Sequence, residues 1–407
     1  MKVLLVHDYG SPGGGAELQM LALRDALRHR GHRVRLLSSR VPLGGQEPVA
    51  DHLCFGTTSR FQVVSSAVNP SAALALRRAL AEERPDIVHV RMMLWQLSPL
   101  ILPLLRGVPS LYHAAVYKAV CPKGSKLLPD GSVCGVEAGM PCLTNGCLTW
   151  RSWGPAMLQR RLWRAGQDAF DAHVTLSHAA RRVLEAGGRL PVEVIPNGVP
   201  ERPPRPPLGE TPRLAYAGRL SAEKGVGTLL AAFAGVVRER PEARLEIYGD
   251  GPQRRALEHS ARELGIAGAT TFAGHLPRRE LEAALDRAWV QAIPSLWEEP
   301  FGNVASEALM RATAVVASRA GALPEILGAG ADAGATGAPP AVGRLVEPGD
   351  PAAWAAVLGE LLADRETAEA VGRAGRRRAL ECYGEERWVD SILALYHRLA
   401  PGAEAAA

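Results

Sequence analysis

Two carboxylates, Glu299 and Glu307, stand eight positions apart in the run Glu298-Glu299-Pro300-Phe301-Gly302-Asn303-Val304-Ala305-Ser306-Glu307. The pattern predicts a turn that opens a helix near Gly302, with Glu299 ahead of the first turn and Glu307 about one and a half turns inside it. Both then face a ligand held at the helix N-terminus, where carboxylates accept hydrogen bonds from hydroxyl groups and Gly302 and Asn303 offer backbone and amide contacts. Two cations, Arg219 and Lys224, stand five apart in Gly218-Arg219-Leu220-Ser221-Ala222-Glu223-Lys224-Gly225. Cations at a helix start oppose the helix dipole, so this arrangement favours an anionic ligand. Arg219 can fork onto a diphosphate and Lys224 can act as a point charge. Glycine-rich turns at Gly13-Gly14-Gly15, Gly218-Arg219 and Gly249-Asp250-Gly251 let backbone N–H groups approach phosphate oxygens, although any one of them is equally an ordinary strand-to-helix turn.

Four of the six cysteines, Cys121, Cys134, Cys142 and Cys147, fall within 27 residues. Four thiolates can hold a structural zinc tetrahedrally, yet no Cys-x-x-Cys knuckle is present. Two disulfides in any of three pairings, or free thiols, fit the spacing as well. No Asp-x-Asp pair occurs, so a metal-bridged diphosphate finds no motif in this chain.

The elements that must position these residues follow a repeated rhythm. Val3–Val6 reads as a strand, followed by the Gly13–Gly15 loop and an amphipathic helix that ends at Gly31. Further strands are expected at 34–37, 86–90, 109–112, 172–176 and 192–195, with helices at 72–83, 94–105 and 156–170. Strands that alternate with helices of this length predict a parallel sheet covered on both faces. Residues 114–150 interrupt the rhythm with a turn-rich, Cys-containing insertion. Six prolines in 200–212 predict a linker between domains. A second strand–helix series follows, with strands at 214–217, 244–248, 271–273, 290–293 and 314–317, a Gly/Ala/Pro-rich loop at 328–340 and closing helices. The expected organisation is an N-terminal domain over 1–199, the linker, a C-terminal domain over 213–383 and a last helix and tail over 384–407. Two doubly wound Rossmann-like domains then face each other across a cleft, with ligands beyond the carboxyl ends of their strands.

Composition narrows the class. The chain has 407 residues, of which 47% are hydrophobic and 22% charged, as in globular proteins, so disorder, collagen and coiled coil are excluded as main architectures. Residues 1–200 carry 23 basic and 14 acidic side chains and the remainder 24 and 28. A basic first half favours anionic partners such as phosphorylated ligands or acidic membrane surfaces. Aromatics are 5% and scattered, so the basic, aromatic-interleaved stripe of a nucleic-acid module is lacking. The stretch 156–170 pairs Met157, Leu158, Leu162, Trp163 and Phe170 with Arg160, Arg161 and Arg164. It reads as a core-facing helix with a solvated arginine face or as a helix lying on anionic lipid. No signal peptide or membrane-spanning run is apparent, which leads to the expectation of a cytoplasmic protein, with peripheral membrane contact open.

Taken together, the motifs resemble glycosyltransferase family 4, retaining nucleotide-sugar transferases of the GT-B fold. The resemblance rests on Gly14-Gly15-Ala16-Glu17, Gly31-His32, Ile195-Pro196-Asn197-Gly198-Val199, Gly218-Arg219-Leu220 with Glu223-Lys224-Gly225, Gly249-Asp250-Gly251-Pro252, Pro294-Ser295, Glu299-Pro300-Phe301-Gly302, Glu307-Ala308, Gly321 and Pro324-Glu325, in family order over nearly the whole chain. It implies that Arg219 and Lys224 hold the donor diphosphate in place of a metal, so that catalysis needs no cofactor. It also implies that Glu299 lies at the donor sugar, Glu307 binds the ribose, and Phe301, Gly302, Asn303 and Val304 line sugar and phosphates. Gly14 and Gly15 would approach the diphosphate. Asn197, Gly218, Gly249 and Asp250 count with the donor-binding set, and His113 matches a histidine near the reacting sugar. The implied donor is a UDP- or GDP-sugar. The acceptor is left open among lipid-linked glycans, polysaccharide precursors and small molecules, and the insertion after His113 is expected to shape its selection. A non-catalytic nucleotide-sugar-binding protein or a sugar-nucleotide epimerase is the alternative on the same scaffold.

Overall fold

The computed structural model describes residues 1–188, 191–329 and 342–402. Residues 330–340 of the expected Gly/Ala/Pro-rich loop lie outside them.

The chain forms two units. The first comprises Met1–Asp130, Cys134–Gly198 and the C-terminal segment from Glu386, and the second Val199–Glu385 with Gly131–Val133. The first holds strands β1 (Lys2–Tyr9), β2 (Arg33–Ser39), β3 (His52–Cys54), β4 (Ile87–Met92), β5 (Ser110–Ala114), β6 (Ala172–Thr175) and β7 (Glu193–Val194). Their order in the sheet is β3-β2-β1-β4-β5-β6-β7, and all pairs are parallel. The second unit holds β8 (Arg213–Ala217), β9 (Arg244–Tyr248), β10 (Thr270–Gly274), β11 (Val290–Ile293), β12 (Ala314–Ser318) and β13 (Arg344–Val346). The order is β10-β9-β8-β11-β12-β13, again parallel throughout. In each sheet the winding direction reverses between the first strand and its later neighbour, β1 beside β4 and β8 beside β11. The loops beyond the carboxyl ends of these strands diverge and leave room for a ligand.

Burial explains the strand composition. Val3–Val6 and all of β4, β5, β11 and β12 are buried, because helices cover both faces. In the second unit Leu214, Tyr216, Leu245, Ile247, Val290 and Val316 meet Leu229, Leu230, Phe233 and Trp354 from the covering helices. In the first, Val3, Leu5, Leu36, Ile87 and Leu111 meet Met20, Leu23 and Leu27 from the helix Gly15–His29, and Trp388, Val389, Ile392, Leu395 and Tyr396 from the helix Glu385–Leu399.

Several elements depart from expectation. The helix predicted at 94–105 is a six-residue 3-10 segment, Pro99–Leu104. Pro103 lacks an N–H and its ring blocks the preceding turn, so an α-helix cannot form there. The edge strands β3 and β13 and the short helix Gln62–Ala67 were not anticipated, because three to six residues are too few to show a period. The helix predicted at 156–170 starts earlier, at Trp150, where Thr149 and Ser152 form a reciprocal capping box. The insertion 114–150 contains only the turn Tyr117–Ala119 and the four-residue helix Pro141–Thr144. Segment 200–212 has no regular secondary structure but is anchored on the second unit. Leu208 is in the core, Arg205 N–H donates to the Arg311 carbonyl at 2.8 Å, and Trp289 Nε1 donates to the Gly209 carbonyl at 3.0 Å.

Candidate functional site

In the second unit the chemistry gathers beyond β8 and β11. After β8, Gly218 N–H donates to the Tyr248 carbonyl, and the turn of Gly249-Asp250-Gly251 lies against it: Leu220 N–H donates to the Asp250 carbonyl at 2.9 Å. Gly249 has φ +124°, and a Cβ there would stand 2.0 Å from the Gly218 carbonyl oxygen, so only glycine lets the two turns nest. Asp250 is exposed; its carboxylate accepts from Gly251 N–H at 2.7 Å and pairs with Arg254 at 3.3 Å.

Lys224 ends a short 3-10 turn, Ala222–Lys224, and Gly225 with φ +67° starts the helix Val226–Glu239. A Cβ on Gly225 would stand 1.9 Å from the Pro294 carbonyl oxygen, so glycine brings this helix start onto the loop after β11. There Lys224 Nζ meets Glu299 Oε1 at 2.6 Å, Ser295 Oγ donates to the same oxygen at 2.7 Å, and Nζ lies 5.1 Å from the centre of the Trp297 ring. Burial pushes the Glu299 carboxyl up, but the Lys224 charge and the hydrogen bonds from Lys224, Ser295 and Trp297 outweigh it and hold the group below the usual carboxylate range. It is therefore ionised near neutral pH. Arg219, on the same loop, is exposed and has no ion pair or side-chain hydrogen bond among the described residues.

The helix after Glu299 is Asn303–Met310, with Gly302 as its left-handed N-cap. Val304 is half-buried and Glu307 about one-third exposed, its nearest cation Arg278 at 4.0 Å. Phe301 differs from expectation: its ring is buried edge-on against Tyr383, with centroids 5.7 Å apart, so only its backbone can meet a ligand.

The first unit collects polar side chains at the carboxyl ends of β1, β4 and β5. His7, His89, Arg91 and His113 are each fully buried. Arg91 Nη2 donates to Asn197 Oδ1, so Asn197 also has a structural partner in this unit. Burial draws the Arg91 pKa down to about 10, partly countered by Glu17, and the guanidinium stays charged. His89 joins Tyr396 Oη through Nδ1 at 2.7 Å and His113 Nδ1 through Nε2 at 3.2 Å. Burial first, and then the Arg91 charge, hold His7, His89 and His113 below the ordinary histidine range, so all three are neutral at neutral pH. The atoms His7 Nε2, His113 Nε2, Arg91 Nε and Arg91 Nη1 are buried without a partner among the described residues. Orphaned buried polar atoms are rare and costly, and four of them at strand carboxyl ends suit a polar ligand. Gly14 caps the helix Gly15–His29, and Gly14 and Gly15 leave its N-terminal N–H groups accessible to an anion. Glu17 folds under this cap: a Cβ on Gly14 would stand 2.4 Å from its Oε2. His89, Arg91 and Tyr396 were missed from sequence. The available signal was that polar residues close otherwise apolar strands at their carboxyl ends.

A zinc at Cys121, Cys134, Cys142 and Cys147, one of the three readings that the spacing left open, gains no support. All six cysteines are free thiols, and no group of three His, Cys, Asp or Glu among the described residues can hold a metal ion. Cys134 Sγ faces the Val136 carbonyl at 3.7 Å, and Cys142 is buried in its short helix. Burial and then the neighbouring Cys142 push the Cys147 thiol up.

Comparison with known proteins follows the same division. A family described as Glycosyltransferase Family 4 matches residues 13–202, and Glycosyl transferases group 1 matches residues 198–378. Glycogen synthase of Mycobacterium tuberculosis (strain ATCC 25618 / H37Rv) is 38% identical over 196 residues, 47% of this chain and 44% of that protein. The MMP alpha-(1->4)-mannosyltransferase of Mycolicibacterium hassiacum is 34% identical over 209 residues, 51% of this chain and 48% of that one. The matched stretch thus spans about half the length of these curated relatives. Among solved structures, sucrose-phosphate synthase from Thermosynechococcus elongatus superposes with a TM-score of 0.71 at 21% identity, covering 98% of each chain. HepE of Anabaena, solved with UDP and glucose, gives 0.66 at 18% identity, covering 97% of this chain and 98% of that one. Two parallel, doubly wound sheets, adjoining family matches over 13–378 and these superpositions lead to one assignment: the chain belongs to the group 1 glycosyltransferases of glycosyltransferase family 4 and has the GT-B fold.

Proposed function

We propose that the chain transfers a glycosyl unit from a nucleoside-diphosphate sugar to an acceptor hydroxyl, with retention of anomeric configuration and without a catalytic metal. The observation that carries this reading is the Lys224–Glu299 pair, 2.6 Å long and set beyond the switch-point strands, with Arg219 exposed on the same loop as Lys224. A diphosphate seated on the glycine turns meets the N–H groups after β8 and β9 together with Lys224 and Arg219. Their fixed positive charge stabilises the phosphate as it departs with the bonding electrons. Glu299, kept ionised by Lys224, accepts hydrogen bonds from sugar hydroxyls, and Glu307 accepts them from the ribose. The departing phosphate oxygen takes the acceptor proton, so the reaction needs no strong protein base. UDP or GDP is the favoured nucleotide: HepE was solved with UDP, and a relative from Mycolicibacterium smegmatis, 34% identical over 43% of this chain, is a GDP-mannose-dependent mannosyltransferase.

The reading includes peripheral contact with an anionic membrane. No helix among the described residues is long and apolar enough to cross one. Residues 52–81 and 138–167 contain Arg60, Arg77, Arg78, Arg151, Arg160, Arg161 and Arg164 and no Asp or Glu. Phe61, Val64 and Val68 lie exposed along the helix Gln62–Ala67, and Trp150 and Leu158 along Trp150–Gly166. The two helices are joined where Gln159 Nε2 donates to the Ser66 carbonyl at 2.6 Å. Arg160 and Arg164 are engaged by Glu137, and the exposed apolar side chains with Arg60, Arg77, Arg78, Arg151 and Arg161 suit anionic lipid.

The deciding experiment is a thermal-shift panel of UDP, GDP and their sugars with and without EDTA. A donor at 100 times its Kd adds about 2.7 kcal/mol of stability. No response to any nucleotide, or a response abolished by EDTA, overturns the reading. Co-sedimentation with phosphatidylglycerol vesicles but not phosphatidylcholine vesicles, lost in Phe61→Ser/Trp150→Ser, tests the membrane contact.

A further inference from the structure

The buried histidines of the first unit form a chain with a direction. Tyr396, on the C-terminal helix Glu385–Leu399, is fully buried, and among the described residues its hydroxyl has one hydrogen-bond partner, His89 Nδ1 at 2.7 Å. Burial pushes the Tyr396 pKa up, so the hydroxyl keeps its proton. If that hydroxyl accepted from His89, its own O–H would be buried with no acceptor, which is the costly arrangement. It therefore donates, and His89 Nδ1 is the acceptor. A neutral imidazole with one bare nitrogen carries its hydrogen on the other. His89 Nε2–H then points at His113 Nδ1, 3.2 Å away. The two ring planes lie within 15° and their centroids are 5.3 Å apart, so the rings meet edge to edge with the N–H aimed at an in-plane lone pair. The same logic passes on once more: His113 Nδ1 is bare, and Nε2 carries hydrogen. That Nε2 is the buried atom left without a partner. The other charged and titratable groups facing this chain are Arg91, His7 and, through Arg91, Glu17. The guanidinium opposes any added proton on either ring.

We infer that Tyr396 and His89 are positioning residues that fix His113 as a neutral Nε2–H donor, so that His113 gives a hydrogen bond to an acceptor oxygen of the bound ligand and cannot serve as its proton acceptor. This deepens the proposed function and rests on it for the ligand, which is a sugar hydroxyl or phosphate oxygen. The tautomer itself does not depend on that reading.

The test is the ring 15N shifts of histidine-labelled full-length protein, without ligand, near neutral pH. The His113 signals are identified by their loss in His113→Asn. The expected pattern has His113 unprotonated at Nδ1 and protonated at Nε2. In Tyr396→Phe, which keeps the ring and removes the donor, His113 becomes a mixture of tautomers. A wild-type His113 protonated at Nδ1 or at both nitrogens overturns the inference, as does an unchanged pattern in Tyr396→Phe. The wild-type measurement decides even where the variant does not fold. With a donor sugar in hand, Tyr396→Phe lowers kcat about tenfold and leaves the donor KM within about twofold, because the hydrogen bond strengthens as charge develops. If no nucleotide sugar binds at all, the functional proposal fails while the shift pattern still reports the tautomer.

Discussion

Lys224 and Glu299 depend on each other, since removal of either leaves a charge in a site built for two. Lys224→Met should lower turnover by about 100-fold or more, as loss of other charge-stabilising groups does. It should also cost about 2–3 kcal/mol of stability, below the ~3–5 of a fully buried pair, because a quarter of the Lys224 side chain stays in water. Denaturant titration separates the two effects. The pair also sets a pH dependence. Glu299 ionises below the unfolded-chain value of about 4.3, so its contribution is complete above that value and is lost as pH falls through the native pKa. Thermal melts between about pH 3 and 6 should therefore fall more steeply for wild type than for Glu299→Gln. Lys224 and Glu299 were each singled out in the sequence, Lys224 because a cation at a helix start opposes the dipole and Glu299 because it is spaced from Glu307, but their pairing with each other was not legible. Arg91 and His89 were not singled out. Strands buried on both faces show no alternation, so a buried polar residue carries no periodic mark. Phe301 stands inside the motif, and its ring belongs to the core.

At the scale of elements, the alternation of strand and helix gave both sheets, and the glycine turns lie at the strand ends. Two of those glycines are held by close approach of main chain to main chain. Gly249→Ala should force the Gly218 turn away and raise the Kd for UDP or GDP at least tenfold (~1.4 kcal/mol), measured by titration calorimetry. Strain from a non-glycine residue at φ +124° adds about 1–3 kcal/mol of lost stability. Illegible elements were those whose formation depends on neighbours. β3 and β13 exist because a sheet edge offers them partners, and Pro99–Leu104 tightens because Pro103 interrupts it. The insertion shows the limit of composition: four cysteines in 27 residues left zinc, disulfides and free thiols open, and the thiols described are free.

At the scale of the whole molecule, the first unit is assembled from both ends of the chain. Trp388, Val389, Ile392, Leu395 and Tyr396 are core residues of that unit. Burying five such side chains is worth on the order of 10 kcal/mol, comparable to the entire stability of a typical domain. A chain ending at Gly384 should therefore have a first unit that is insoluble or rapidly digested by protease while the second resists. Limited proteolysis with mass spectrometry reads this directly. The same feature governs biosynthesis. Between the emergence of Gly198 and that of Glu386 the ribosome must make the whole second unit, which at ~5–20 residues per second takes roughly 10–40 s. Throughout that interval the nascent first unit presents an uncovered apolar furrow, a natural landing place for a chaperone, until the helix Glu385–Leu399 emerges to fill it.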